Sequence, residues 1–136
     1  MSDNGGIVSM LEGAMRVQKR SVRVYELMAA AARSPKDREL LRTIRREERR
    51  HYYFLEGIYE ELTGKAVQPV RTALSLPRYY PDMLRTAICD KLETIDRLEL
   101  IMGELRCVKQ RQVMDIILTD QKEHARILGG IYGRCQ

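Results

Sequence analysis

The chain has 136 residues, of which 44% are hydrophobic and 32% are charged, and it contains no Trp. This length fits one domain, residues 1–136, and is short for two. The formal net charge is +5, but Lys and Arg alternate with Asp and Glu along most of the chain, so the basicity is mild. No apolar run is long enough to cross a bilayer. Three widely spaced cysteines form neither a disulfide framework nor a C-x-x-C metal site. We therefore expect a cytoplasmic protein with reduced thiols and no membrane partner.

The first half of the chain predicts a helical hairpin. Apolar residues recur at helical spacing from about residue 7 to 32, with Gln18 as a polar residue inside the apolar stripe. Ser34-Pro35-Lys36-Asp37 then supplies an N-cap, a proline at the first helical position and an acid in the first turn. A second helix is therefore predicted over about 35–62, and Gly64 ends it.

The second half of the chain begins with a connection. Residues 64–80 contain two prolines and keep no lasting period, so they are not expected to be helical. Helical spacing returns in two further stretches, which predict helices over about 81–105 and 108–132. Helix propensity alone does not mark the break between these two helices.

An internal repeat locates that break. A constant offset of 73 residues pairs Leu11 with Leu84 and Ile44 with Ile117, and it places the second turn opposite Ser34, at Cys107. Each helix of ~25 residues would be nearly 40 Å long at ~1.5 Å per residue, and two such hairpins must stack to bury their apolar stripes. The connection can span that length at ~3.3 Å per residue, which permits the second and third helices to be parallel. We predict an all-α four-helix bundle made of two repeated hairpins joined by a long crossover.

Polar residues interrupt all four apolar stripes at matched levels. A Glu and a His at i and i+3 share one helical face, where they can converge on a metal ion. The chain contains one intact pair of this kind and a second pair in which Gln replaces Glu. Six residues related by the offset of 73 are expected to meet in one buried layer: Gln18 with Lys91, Glu48 with Gln121, and His51 with His124.

With these residues, the chain resembles the ferritin-like superfamily, in particular the rubrerythrin-type proteins, over nearly its whole length. The resemblance implies a di-iron site in which two helices each give one Glu and the other two each give a Glu-x-x-His. Tyr25 is similar to the tyrosine that such proteins place near their metal ligands. Glu48, His51 and His124 match the ligand pattern, whereas Gln18, Lys91 and Gln121 stand at degenerate ligand positions where the family has Glu.

These three substitutions predict that the di-iron centre has been lost. Two iron ions bring at least four positive charges, which are costly to bury without carboxylates, whereas Lys91 can replace the metal charge opposite Glu48. We therefore expect no cofactor, no enzymatic activity and a scaffold or interaction role. The alternative is a metal-binding oxidase, peroxidase or iron-handling protein with an abbreviated site. In that case Glu48, His51 and His124 would hold one iron, zinc or manganese ion.

Other polar groups have simpler interpretations. Helical periodicity turns Glu47, Asp90, Asp120 and Glu123 away from the layer by ~100°, which disfavours them as substitute ligands. The resemblance implies a homodimer, and Tyr52, Tyr53, Tyr79 and Tyr80 are candidates for a contact surface.

Nucleic acid is not expected as a partner, because a basic face on the second helix is most simply solvated or paired with acids or a neighbouring subunit. That face consists of Arg42, Arg45, Arg46, Arg49 and Arg50.

Overall fold

A computed structural model describes residues 5–69, 71 and 73–135. It contains four α-helices, α1 (Gly5–Ala31), α2 (Pro35–Thr63), α3 (Tyr80–Glu104) and α4 (Val108–Arg134). Each helix begins and ends within two residues of the predicted position, and the prediction of an all-α four-helix bundle is confirmed. None of the four helices is both long and apolar enough to cross a membrane.

The ends of α2 show how local sequence sets the boundaries of a helix. The Ser34 hydroxyl accepts a hydrogen bond from the backbone N–H of Asp37 at 3.1 Å, and Pro35 occupies the first turn, where its missing N–H costs nothing. At the other end Gly64 adopts a left-handed conformation with φ of 68°, and its N–H donates to the Glu60 carbonyl oxygen at 2.8 Å. The capping signals in the sequence therefore predict both ends of this helix correctly.

The helices form two hairpins that stack side by side. In this arrangement α1 packs against α2 and α3, while α4 packs against α3 and α2. One core cluster joins the amino-terminal halves of α1 and α4 to the carboxy-terminal halves of α2 and α3, and a second cluster joins the opposite halves. It follows that α2 and α3 point in the same direction.

The connection between α2 and α3 runs along the length of the bundle. Val67, near its beginning, packs against the first core cluster, and Leu76, near its end, packs against the second. Between these points a guanidinium nitrogen of Arg20 on α1 lies 3.5 Å from the Ser75 carbonyl oxygen. The long crossover that the repeat and the chain length permitted is therefore present.

Two separate apolar clusters, and not one continuous core, fill the bundle. The first contains Leu11, Leu55, Leu98 and Ile117, and the second contains Met28, Leu41, Leu84 and Leu128, all at most 1% exposed. Each helix contributes to both clusters, so the polar residues near the middle of each helix lie between them. This division places a polar layer across the bundle at mid-height.

Candidate functional site

The six polar side chains predicted to share a layer all lie inside the bundle. None of them is more than 4% exposed, and each helix contributes at least one: Gln18 from α1, Glu48 and His51 from α2, Lys91 from α3, and Gln121 and His124 from α4. Buried polar groups are costly unless they are hydrogen-bonded, so their partners determine what this layer can do.

Lys91 lies at the centre of the layer. Its Nζ donates hydrogen bonds to Glu48 Oε1 and, at 2.6 Å, to Gln121 Oε1. The same nitrogen lies 5.1 Å from the centroid of the Tyr25 ring, within the range of a cation–π interaction. The buried ammonium group therefore has a carboxylate, an amide oxygen and an aromatic face as neighbours.

Glu48 is the carboxylate that balances this ammonium group. Burial by itself would raise the pKa of Glu48, but the positive charge of Lys91 and the hydrogen bond from His124 outweigh burial and lower that pKa to about 2. Glu48 is consequently ionised at neutral pH, and the layer contains a buried ion pair of one carboxylate and one ammonium group.

Two glutamine side chains complete the hydrogen bonds around this pair. Gln18 Nε2 donates to the backbone carbonyl oxygen of Glu48 at 3.0 Å. Gln121 Nε2 lies 3.0 Å from His51 Nδ1, 3.3 Å from Glu48 Oε2 and 3.4 Å from Gln18 Oε1, all of which can accept a hydrogen bond. The Gln121 oxygen accepts from Lys91 and its nitrogen lies next to acceptors, so both ends of this amide have hydrogen-bond partners.

His51 links the layer to its outer edge. Its Nε2 lies 2.8 Å from Asp120 Oδ2, and Asp120 also accepts a hydrogen bond from Arg50 at 3.0 Å. Burial lowers the pKa of His51, although the hydrogen bond to Asp120 opposes that effect. A neutral ring that donates through Nε2 to Asp120 and accepts at Nδ1 from Gln121 satisfies both contacts, and we assign this tautomer on that ground.

His124 occupies the matching position in the second hairpin. Its Nδ1 lies 3.0 Å from Glu48 Oε1 and its Nε2 lies 3.2 Å from Glu47 Oε1. The rings of His51 and His124 stack with their centroids 5.9 Å apart. Both histidines therefore join α2 to α4.

The carboxylates of Glu47 and Asp120 reach further towards the layer than helical periodicity predicts. They lie at its rim, each on the outer ring nitrogen of the histidine from the opposite hairpin. The offset of 73 residues relates Glu47 to Asp120, and this signal could have identified them together. Asp90 and Glu123 do point away, as expected, towards Arg20 at 3.8 Å and Arg126 at 2.9 Å.

The residues of this layer do not fit a pair of metal ions. Glu48 is the one carboxylate among the six layer side chains, and an ammonium group occupies the space beside it. Nowhere in residues 5–69, 71 and 73–135 do three or more His, Cys, Asp or Glu side chains form a group that could hold a metal ion. The layer can instead hold one buried ion pair with most of its hydrogen-bonding groups satisfied.

The two stacked hairpins, the long crossover and the polar layer at mid-height define a ferritin-like fold. The family model described as rubrerythrin matches residues 3–59, which include α1 and most of α2. Over these residues the chain is similar to rubrerythrin.

Two known proteins resemble the chain over most of its length. An uncharacterised protein of Bacillus subtilis, YhjR, is 27% identical over 119 residues, which cover 88% of this chain and 81% of that protein. The crystal structure of a two-domain protein from Anabaena variabilis, with DJ-1/ThiJ/PfpI-like and ferritin-like domains, matches with a TM-score of 0.76 at 17% identity. That match covers 98% of this chain but 37% of the other, so the likeness concerns the fold alone.

Proposed function

We propose that this protein is a ferritin-like bundle in which a buried Lys91–Glu48 ion pair has replaced the di-metal centre, and that it serves a non-catalytic scaffold or interaction role. We further propose that it acts as a cytoplasmic homodimer. The observation that carries the first proposal is the position of the Lys91 ammonium group, which is 4% exposed and hydrogen-bonded to Glu48 in the middle of the layer.

Electrostatics supports this proposal. An uncompensated ion in a protein interior costs several kcal/mol even after relaxation. Glu48 and Lys91 balance one another, whereas two divalent ions placed beside Lys91 would face one carboxylate in the layer and two at its rim. Cys89, Cys107 and Cys135 are all free thiols, which agrees with a reducing compartment.

Metal analysis of the purified protein tests the proposal directly. We expect protein purified without chelators to contain no stoichiometric iron, manganese or zinc, and we expect anaerobic titration with Fe²⁺ to give no saturable binding. Binding of two iron ions per chain, with an oxo-bridge absorption band after exposure to air, would contradict the replacement of the metal centre.

A second experiment tests whether the helices are in the register of a former metal site. Changing Gln18, Lys91 and Gln121 together to Glu removes the ammonium group and restores the four-carboxylate, two-imidazole set that the family uses. We expect this triple variant to bind two iron ions per chain. The single variant Lys91→Met is the control, because it removes the cation without adding a ligand. A triple variant that folds and binds no iron would show that these positions do not surround a common site.

A single-ion site is the second candidate function. Its support is that Glu48 Oε1 and His124 Nδ1 lie 3.0 Å apart, while Glu47 and Asp120 hold the outer nitrogens of the two histidines, as supporting carboxylates do for ligating histidines. If this candidate is correct, the wild-type protein should bind one zinc or iron ion with a saturable isotherm. Binding should then disappear in His124→Gln and become tighter in Lys91→Met.

A further inference from the structure

The outward surface of α2 has a charge pattern that the buried layer does not explain. The outward surface carries Arg42, Arg45, Arg46 and Arg49, followed by Tyr52 and Tyr53 and then by Glu56 and Glu60. Arg45 and Arg49 lie next to residues of α1. These positions are one, three or four residues apart, and at ~100° per residue they all fall on one side of the helix, so they share one broad stripe of its surface. Along that stripe the charge changes from positive to negative, with the two tyrosines at the boundary.

Most of the charges at the two ends of this stripe lack a counter-ion among the described residues. Arg45 lies 3.8 Å from Glu26, and Arg46 lies 3.2 Å from Glu39. In the part of the chain that the structure describes, no opposite charge lies within ion-pair distance of the remaining four: Arg42, Arg49, Glu56 and Glu60. The stripe therefore presents available charges of both signs.

One of the two tyrosines at the boundary, Tyr53, is exposed, while Tyr52 is partly buried against the first core cluster. The Tyr53 side chain is 54% exposed, and its ring packs edge-on against Tyr52 with the centroids 5.7 Å apart. Beside them lies a groove of about 210 Å³, lined by Lys19, Val22, Arg49 and the two tyrosines. An exposed tyrosine next to a groove is typical of the centre of a protein–protein contact.

We propose that this stripe binds a second copy of the chain, with the two α2 helices antiparallel and a two-fold axis near Tyr52 and Tyr53. In that arrangement Arg49 faces Glu56 of the second copy, and Arg45 faces Glu60 of the second copy. A two-fold axis makes each pair twice, because the same patch is used on both subunits. The basic end of each helix then neutralises the acidic end of the other.

The charge order favours a second copy over a polyanion. A nucleic acid long enough to follow the stripe would be attracted at Arg42 and Arg49 but repelled at Glu56 and Glu60. An antiparallel copy is attracted at both ends. The inference specifies the surface for the proposed homodimer, and it does not depend on whether the layer binds metal.

Charge reversal at each end of the stripe tests the two-fold contact. We expect the wild-type protein to sediment at twice its chain mass of 15.8 kDa at low salt, with a dissociation constant that rises with ionic strength. Variant A carries Arg45→Glu and Arg49→Glu, and variant B carries Glu56→Arg and Glu60→Arg. Each variant alone places like charges opposite one another, so its dissociation constant should rise by about 100-fold or more.

Mixing the two variants gives the decisive result. In an A–B pair every reversed residue faces an opposite charge, so an equimolar mixture should form a heterodimer close to the wild-type affinity. The control Arg85→Glu with Arg126→Glu makes the same change in net charge as variant A at exposed sites on α3 and α4, and it should leave the dimer intact. Circular dichroism confirms that each variant is folded.

Other outcomes would contradict the two-fold contact. A monomeric wild-type protein would overturn both this contact and the proposed homodimer. A wild-type dimer that survives in A and in B would overturn the contact alone, and so would a mixture that shows no rescue. Binding of single-stranded oligonucleotide by wild type and B but not by A, without dimerisation, would assign the stripe to nucleic acid instead.

Discussion

The Glu48 carboxylate is the group whose removal the buried layer should tolerate least. In Glu48→Gln, Lys91 keeps its charge and loses its partner inside the protein, and such a loss typically costs about 3–5 kcal/mol. We expect the free energy of unfolding, measured by urea titration, to fall by that amount. The double variant Glu48→Gln with Lys91→Met should recover most of the loss, because neutral groups of similar size can replace a buried ion pair at little cost. An unchanged midpoint in the single variant would mean that the pair is not buried together.

Acid should weaken the protein through the same residue. The pKa of Glu48 is lowered from 4.5 to about 2, so its contribution to stability is fully present above pH 4.5 and is lost as the pH falls towards 2. That shift corresponds to a loss of about 3 kcal/mol. The lowered pKa of His51 acts in the same direction, because protonation below its ordinary pKa of 6.5 favours the unfolded chain. Unfolding free energies between pH 7 and pH 2 should fall less in the Glu48→Gln, Lys91→Met variant than in the wild type.

The residues of the layer could be predicted because one offset relates them all. Gln18, Lys91 and Gln121 do not by themselves indicate a buried site, yet the repeat aligns them with positions on the other helices. The contacts of the Glu47 and Asp120 carboxylates with the two histidines could not be predicted in the same way. Their contacts depend on how closely α2 and α4 pack, and helical periodicity describes a single helix without its neighbour.

At the level of single helices, the end of α2 provides a test with a matched control. Gly64 has a φ of +68°, where a Cβ is strained, so Gly64→Ala should lower the free energy of unfolding by about 1 kcal/mol. Gly129 lies inside α4 with nothing within 4 Å of an added Cβ. Gly129→Ala should therefore raise stability by about 0.5–1 kcal/mol. Thermal denaturation of both variants measures the two shifts, and a gain in stability at Gly64 would contradict the capping assignment.

Helix boundaries were predictable to the extent that side chains mark them. Ser34 and Gly64 make the capping contacts that their residue types suggest. By contrast, α3 begins after Tyr79 and α4 begins after Cys107, and neither side chain makes a capping hydrogen bond. Propensity therefore shows no break between α3 and α4, and the repeat was needed to place one at Cys107. The lesson is that an internal repeat can supply a boundary that local chemistry leaves unmarked.

For the molecule as a whole, the direction of the third helix is the feature that the sequence left open. The length of the connection permitted α2 and α3 to be parallel but did not require it. The apolar stripes are similar in both halves of each helix, so either direction would bury them. The core contacts determine the direction, because the carboxy-terminal halves of α2 and α3 share one cluster and their amino-terminal halves share the other.

This topology makes the length of the crossover a structural requirement. Sixteen residues separate Thr63 from Tyr80, and α3 with its 25 residues is about 38 Å long at 1.5 Å per residue. Deleting residues 66–73 leaves eight residues, whose extended reach is about 26–29 Å, too short to span the bundle. We expect this deletion to abolish cooperative unfolding or to drive exchange of hairpins between chains, measured by urea titration and by sedimentation.

The control replaces the same eight residues with a Gly/Ser sequence of equal length, which keeps the length of the connection. This variant should keep the fold and lose a little stability, because the contact of Val67 with the first core cluster is removed. A deletion variant that unfolds like the wild type would show that the crossover does not run along the bundle.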